Sequence, residues 1–200
     1  RVLCLTGAAV FLTACAVLDK PTRSTVFDFG PAVVPVVATA PDVSRQPVAL
    51  AEVEAASAFD STAVLYRLAY ADAQQLQPYA QARWSMPPAQ LLRQRLRQTL
   101  AQQTSVMREG EVAQQRPMVL RLELDEFSQM FDAPDKSNGQ VRVQATVVQA
   151  SATGERLVAQ RGFSAQRPAP SADAAGGVRA LTAATDAVVA DIAQWMGSLK

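Results

Sequence analysis

The chain has 200 residues, 49% of them apolar, which is enough for one domain of about 150 residues with a leader and a short tether. Its 19 basic and 18 acidic side chains nearly balance, which argues against nucleic-acid binding and against polybasic contact with a membrane. Histidine is absent, and the two cysteines, Cys4 and Cys15, lie near the start. The composition therefore argues against zinc, thiol and histidine-based acid–base chemistry, and we predict a non-catalytic protein without cofactor or metal.

Residues 12–15 close a short apolar run with Leu-Thr-Ala-Cys, the pattern of a bacterial lipobox. The run is far shorter than the roughly 20 apolar residues of a membrane-spanning helix, and its length is typical of a signal-peptide core. We predict a signal peptide at residues 1–14 with a truncated n-region, a tether at 15–24 lipidated at Cys15, and a single domain at 25–200. The alternative is a buried N-terminal helix with a chance cysteine.

The first part of the domain predicts short strands. Residues 25–29 (Thr-Val-Phe-Asp-Phe) form a strand ended by Gly30-Pro31, and the four prolines within 31–47 predict an extended, irregular segment. Apolar runs predict strands at 48–55 and 62–68, connected through residues 57–60. A further short strand is predicted at 76–79, and Pro78 would confine it to a sheet edge.

An amphipathic helix is predicted from the cap Ser85 to about Gln103, with Pro87 and Pro88 in its first turn. The apolar stripe consists of leucines spaced by four residues: Leu92, Leu96 and Leu100. Arg93, Arg95 and Arg97 occupy the other faces. They form either an anion site or, as we favour, a solvated helix face.

Alternating polar and apolar residues predict three consecutive antiparallel strands at 118–127, 141–147 and 157–166. The Asn-Gly pair within Ser137-Asn138-Gly139 predicts a turn before the second strand, at the end of a longer connection over residues 127–136. Thr153-Gly154 predicts the turn before the third.

The chain ends in a long predicted helix over residues 171–196, with an apolar stripe that ends at Ile192 and Trp195. Because Gly176-Gly177 weakens its first turns, its stable part is expected to begin near Val178. The whole pattern predicts an α+β fold, with an antiparallel-rich mixed sheet and two main amphipathic helices packed on one face. The other face is expected to carry Arg121, Glu123, Arg142, Gln144 and Thr146.

The order of short motifs along the chain resembles the family of ABC-type transport auxiliary lipoproteins of the PqiC (YmbA) type. The resemblance covers about residues 25–197. It is carried, in chain order, by Phe27-Asp28-Phe29-Gly30-Pro31, Leu65-Tyr66-Arg67-Leu68-Ala69-Tyr70, Tyr79-Ala80, Arg83-Trp84, Pro87-Pro88, Leu124-Asp125-Glu126-Phe127-Ser128-Gln129, Phe131-Asp132, Asp173, Gly176-Gly177-Val178, Ala180-Leu181 and Trp195.

The resemblance implies a periplasm-facing lipoprotein anchored in the outer membrane. Its implied partners are an MCE-domain membrane protein and the associated ABC permease and ATPase, which move lipids between membranes. Ala16, which follows the lipidated cysteine, is not the aspartate that retains lipoproteins in the inner membrane of enteric bacteria. The family has no established catalytic residues to assign, and a homo-oligomer is possible.

Six residues are candidates for binding a protein partner, because Trp, Tyr and Arg often anchor interfaces and because apolar residues at a strand end can project from it. They are Tyr66, Arg67, Trp84, Phe127, Gln129 and Phe131. The competing interpretation places the aromatic residues in the core. Two other functions remain open: a periplasmic carrier of lipid or another hydrophobic ligand, and a lipoprotein activator of cell-wall synthesis.

Overall fold

The computed structural model of the protein describes residues 23–31, 46–108, 117–151 and 154–199. The predicted signal peptide, Cys15 and most of the proline-rich segment lie outside the described residues. The elements follow one another as β1 (Thr25–Phe27), β2 (Val48–Ala55), a single 3₁₀ turn (Ser57–Phe59), β3 (Ala63–Leu68), β4 (Asp72–Trp84), α1 (Pro88–Leu100), β5 (Val106–Arg108), β6 (Met118–Ala133), β7 (Lys136–Ser151), β8 (Gly154–Pro168) and α2 (Ala174–Ser198).

Strand β6 is the centre of the sheet. Along one edge it pairs antiparallel with β7, which in turn pairs antiparallel with β8. Its other edge is shared by two parallel strands: β2 pairs with the first half, where Val48 lies beside Met118, and β3 with the second half, where Tyr66 lies beside Gln129. Strand β5 extends the sheet beyond β2, and β4 and β1 extend it beyond β3.

Both helices cover the same face of this sheet, which confirms the α+β prediction. Helix α2 packs on β6, β7 and β8, whereas α1 packs on β2 and on α2. The apolar residues of β6 and β7 that were predicted to face inward, such as Leu120 and Val143, are fully buried with Leu92 and Leu181 of the helices. The polar residues between them, such as Glu123 and Gln144, are exposed on the uncovered face.

A β-bulge at Asp125 changes which side chains of β6 face the helices. Leu124 pairs with Val143 and Glu126 with Arg142, so that Asp125 is an extra residue in the ladder. After the bulge the odd-numbered residues turn inward, and Phe127 and Gln129 are buried. The strand also continues to Ala133, six residues beyond its predicted end.

The predicted turn at residues 137–139 is wrong, because these residues belong to β7 and the chain reverses at Pro134-Asp135. Gly139 is needed inside the strand, where the backbone of α2 lies against it. The predicted strand at 76–79 is part of the much longer β4. On one side of β4, Pro78 pairs with Leu65 of β3. On the other side, β1 pairs with Ala82, Arg83 and Trp84 and does not extend as far as Pro78.

The helix ends also differ from the prediction. Helix α1 begins at Pro88 after Pro87 and ends at Leu100. Ser85 is not its cap, and the Ser85 amide donates to the Phe27 carbonyl instead. Helix α2 begins at Ala174, so that its two glycines lie in a formed first turn where close packing requires them. The helix has 25 residues, yet no helix in the described part of the chain is long and apolar enough to cross a membrane.

Candidate partner-docking surface

Two chain reversals lie at the same end of the sheet. Strands β3 and β6 run parallel with Leu68 beside Phe131, so the β3–β4 hairpin and the β6–β7 turn project in the same direction. We call residues 66–79 and 129–137 the hairpin end. The N-terminal turn of α2 closes over it, since Gly177 packs against Gln129.

An aromatic cluster forms the hairpin end. The Tyr66 ring lies 4.6 Å from the Tyr79 ring and 6.0 Å from the Phe131 ring, measured between centroids. The Tyr66 hydroxyl donates to Gln77 Oε1 at 2.8 Å. Tyr66 and Tyr79 are half-buried, whereas Phe131 is buried beneath them. The cluster therefore combines two partly exposed tyrosines with one buried phenylalanine.

Gln129 holds this cluster from below. It is fully buried, accepts a hydrogen bond from the Tyr79 hydroxyl at 2.8 Å and donates through Nε2 to Ser137 Oγ at 2.8 Å. Burial raises the pKa of Tyr79, and the neighbouring Tyr66 and Asp173 act in the same direction. Tyr79 is therefore a neutral donor, and both ends of the Gln129 amide are satisfied.

Arg67 lies on the uncovered face of the sheet, and its hydrogen bonds stabilise the β3–β4 hairpin. Its guanidinium lies 3.3 Å from Glu126 Oε2 and donates to the carbonyls of Ala73 and Gln74 at 3.3 and 3.2 Å. The side chains of Arg67 and Glu126 are 17% and 12% exposed. Arg67 is thus largely engaged within the domain, and only part of its guanidinium is available to a partner.

Two of the six candidate residues lie elsewhere, in the core. Trp84 and Phe127 are each 2% exposed and pack with Phe29 in an aromatic triad whose ring centroids lie 5.6 to 6.1 Å apart. Their burial favours the core interpretation for these two rings. The structure brings the other four candidates, Tyr66, Arg67, Gln129 and Phe131, to the hairpin end.

Sequence reasoning missed Tyr70 as a site residue. It lies at the tip of the β3–β4 hairpin, where the Ala71 amide donates to the Leu68 carbonyl at 2.8 Å, and it is 47% exposed. A tyrosine in a tight turn between two strands has no core to face, and this was the signal that could have identified it.

The prediction that the α1 arginines form a solvated face is wrong for two of them. Arg95 is buried, with Nη2 donating to the Phe29 carbonyl at 2.6 Å and Nε lying 3.5 Å from Asp186. Arg93 donates to the Ala51 carbonyl at 3.0 Å and pairs with Glu52 at 2.9 Å. Both arginines donate hydrogen bonds to backbone carbonyls. The carbonyl bound by Arg93 belongs to the part of β2 that no longer pairs with β5. Neither arginine forms a free anion site.

The uncovered face is polar, as predicted, and carries a recess of about 350 Å³ lined by residues of β2, β6, β7 and β8. Arg121 forms two hydrogen bonds of 2.8 Å with Glu155, and these bonds lower the pKa of that carboxyl.

On the opposite side of the sheet, the strands and the helices share one packed apolar core. A recess of about 310 Å³ lies at the far end of the helices, beside Met118 and Met196, and a larger one of about 500 Å³ lies between β1 and α2.

The sequence matches a known protein family over most of its length. The model of the family described as "ABC-type transport auxiliary lipoprotein component" matches residues 31–193. The chain belongs to this family. It is therefore a lipoprotein-family component associated with an ABC-type transport system.

Solved structures show the same fold. A crystal structure of a Xanthomonas campestris protein of the DUF330 family has 22% identity and a TM-score of 0.70, covering 86% of this chain and 94% of that one. A second crystal structure, of an uncharacterized protein, has 14% identity and a TM-score of 0.62, covering 87% and 99%. A hypothetical protein from Chlamydia trachomatis has 9% identity and a TM-score of 0.50, covering 78% and 97%. No curated protein matches the sequence significantly.

Proposed function

We propose that this protein is a non-catalytic docking component of an MCE/ABC-type intermembrane lipid transport system. In this proposal Cys15 anchors it in the outer membrane and the domain faces the periplasm. The observation that carries the proposal is the family match over residues 31–193 behind a lipobox at residues 12–15. The partner is an MCE-domain protein held in the opposite membrane, with its ABC permease and ATPase.

The hairpin end is the proposed contact surface for the MCE-domain protein. Tyr70, Tyr66 and the accessible part of Arg67 would touch the partner, because exposed tyrosine and arginine are the residues that most often anchor interfaces. Gln129 and Phe131 hold these groups from beneath. Trp84 and Phe127 contribute indirectly, through the core that fixes β4 and β6 relative to each other.

The chemistry of the hairpin end supports a binding role without turnover. The polar groups of its aromatic cluster form internal hydrogen bonds: Tyr66 with Gln77, Tyr79 with Gln129 and Gln129 with Ser137. A tyrosine whose pKa is raised by burial is a poor general base and a poor nucleophile. A packed core likewise supports docking over an independent hydrophobic-ligand carrier, which needs an interior cavity.

We expect the affinity of a single copy to be modest, since the chain is nearly neutral overall and Arg67 is already paired with Glu126. Anchored copies gain from high local concentration when several of them face an oligomeric partner. Removing the anchor should therefore weaken the interaction more than most single surface substitutions do.

The test compares the anchored protein with its Cys15→Ser variant for recovery of a tagged MCE-domain protein from detergent-extracted envelopes. We expect recovery with the anchored form and much less with the variant. Intact mass should show acyl chains on a mature chain that begins at Cys15. Absence of the MCE protein from the anchored sample, together with lipid hydrolysis by the purified protein, would overturn the proposal.

A further inference from the structure

Strand β8 ends the sheet on the side opposite β1, and among the described residues it pairs only with β7. Residues 159–167 pair with 147–139 in nine consecutive positions without a bulge. At 3.3 to 3.4 Å per residue this regular run is about 30 Å long. Its outer edge is a row of backbone donors and acceptors that a further strand can join.

This edge is positively charged. Arg156, Arg161 and Arg167 are exposed, and none of them forms an ion pair with a carboxylate of the described residues. Arg161 lies over the Phe163 ring at 5.2 Å, and Arg167 donates to the neighbouring Gln166 carbonyl. Arg156 donates to the neutral amide of Gln149.

The carboxylate of β8 does not compensate these charges. Glu155 is held in two hydrogen bonds by Arg121, and those bonds lower its pKa, so it is ionised but already neutralised. A net positive strand edge therefore remains, in a protein whose total charge is close to zero.

We propose that the outer edge of β8 binds an extended, acidic segment of a protein partner by strand addition. The backbone of residues 159–167 would supply the hydrogen bonds, and Arg161 and Arg167, which lie on the same face of the strand, would select aspartate or glutamate at alternate positions. This inference deepens the proposed docking function, on which it rests, by giving the chemistry of a partner segment.

A second copy of this chain fits the edge less well than an acidic strand. Pairing β8 with another β8 would bring three arginines from each copy to one seam, while each Glu155 is already occupied by Arg121. Opposed like charges on neighbouring strands are destabilising. Arginines on an edge strand also serve to prevent such association. One outcome of the test is therefore that the β8 arginines only prevent association and bind no partner.

The test measures binding of the full-length protein in detergent to a labelled peptide of about ten residues in which valine and threonine alternate with glutamate. A peptide with lysine in place of glutamate is the charge control. We expect the glutamate peptide to bind at low salt and to slow amide hydrogen exchange at residues 159–167. The Arg161→Glu/Arg167→Glu variant should weaken its binding by about tenfold or more.

The Arg23→Glu/Arg97→Glu variant changes the net charge equally, away from β8, and should bind the peptide normally. Three results would each overturn strand addition. They are binding of the glutamate peptide without slowed amide exchange, equal binding of the lysine peptide, and no binding of either peptide. Dimerisation through β8, or binding of anionic vesicles in place of the peptide, would overturn it as well. If the Arg161→Glu/Arg167→Glu variant recovers the MCE protein at the wild-type level, only the β8 edge is refuted as a binding surface. If the wild-type protein fails to recover the MCE protein, the docking function itself is refuted.

Discussion

Gly139 of β7 lies directly beneath the backbone of Leu181 in α2. A Cβ at position 139 would lie 2.5 Å from the Leu181 nitrogen and 2.6 Å from the Ala180 carbonyl carbon. Neither atom can move without displacing the helix, so the close approach of α2 to the sheet depends on this glycine. The same contact explains why a residue typical of turns lies within a strand.

Gly139→Ala should therefore lower the free energy of unfolding by about 1–3 kcal/mol, the usual cost of overpacking. Chemical denaturation measures it. Gly162→Ala is the matched control, since the nearest atoms to a Cβ there belong to the flexible Gln144 side chain, at 3.2 Å. Equal stability losses in the two variants would show that the loss does not come from the helix contact.

Removing the Tyr79 hydroxyl should be costly. In Tyr79→Phe the buried Gln129 Oε1 loses its donor, and an unsatisfied buried acceptor costs about 1–3 kcal/mol. Tyr66→Phe removes a hydroxyl that bonds to Gln77, where water can replace it, so we expect a smaller loss. Thermal and denaturant unfolding of the two variants compare them directly, and an equal or larger loss in Tyr66→Phe would contradict this account.

Asp173 caps α2 and makes its stability depend on pH. The carboxylate accepts from the Gly176 amide and from Ser171 Oγ, both at 2.7 Å, and these bonds lower its pKa below the ordinary value of 3.8. A carboxyl whose pKa is lower in the folded state stabilises the fold above its unfolded pKa, and this stabilisation is lost as pH falls through the folded value.

Asp173→Asn keeps an acceptor for the cap but removes the charge. The difference in unfolding free energy between wild type and this variant should be constant near neutral pH and shrink below pH 3.8. Asp173→Ala should lose about 1 kcal/mol at neutral pH through loss of the cap. A wild-type advantage over Asp173→Asn that grew on acidification would refute the assignment.

Trp195 closes the apolar stripe of α2 against β8. It is 9% exposed, as expected from the helical spacing, and its ring lies 5.5 Å from the Phe163 ring. Trp195→Ala should cost about 3–5 kcal/mol of unfolding free energy. Trp195→Phe keeps most of the ring contact and should cost much less, so similar losses in both variants would argue against packing as the cause.

The periodic parts of the fold were predictable from the sequence. Burial of one face produces the polar–apolar alternation in β6 and β7 and the leucine spacing in α1. Each pattern correctly indicated which side chains face the core. The bulge at Asp125 was not predictable, because an extra residue in one strand is defined only by the register of its partner. Gly139 was misinterpreted for the same reason, since local turn propensity competes with a helix that comes from elsewhere in the chain.

The candidate site was only partly predictable. Tyr66, Arg67, Gln129 and Phe131 come together because β3 and β6 are parallel neighbours, a pairing that no local pattern gives. Trp84 was ambiguous between an interface and the core, and its 2% exposure favours the core. Arg95 was misjudged because a spacing argument cannot show that a distant carbonyl, that of Phe29, needs a donor.

The last prediction concerns Tyr70, the exposed aromatic residue at the tip of the β3–β4 hairpin. If the hairpin end contacts an MCE-domain protein, Tyr70→Ser should reduce recovery of that protein about tenfold or more, as expected for a central aromatic contact. The fold should be unaffected, because the ring is 47% exposed and lies outside the core.

Val26→Ser is the matched control for Tyr70→Ser. Val26 is 63% exposed on β1 and lies apart from the hairpin end, so this substitution removes apolar surface without touching the proposed contact. Both variants should have the unfolding temperature of the wild type and should fractionate with the same membrane as the wild type. Since Cys15 is unchanged in both variants, a selective loss of partner recovery in Tyr70→Ser would be assigned to the contact itself. Equal recovery with both variants would refute the hairpin end as the docking surface.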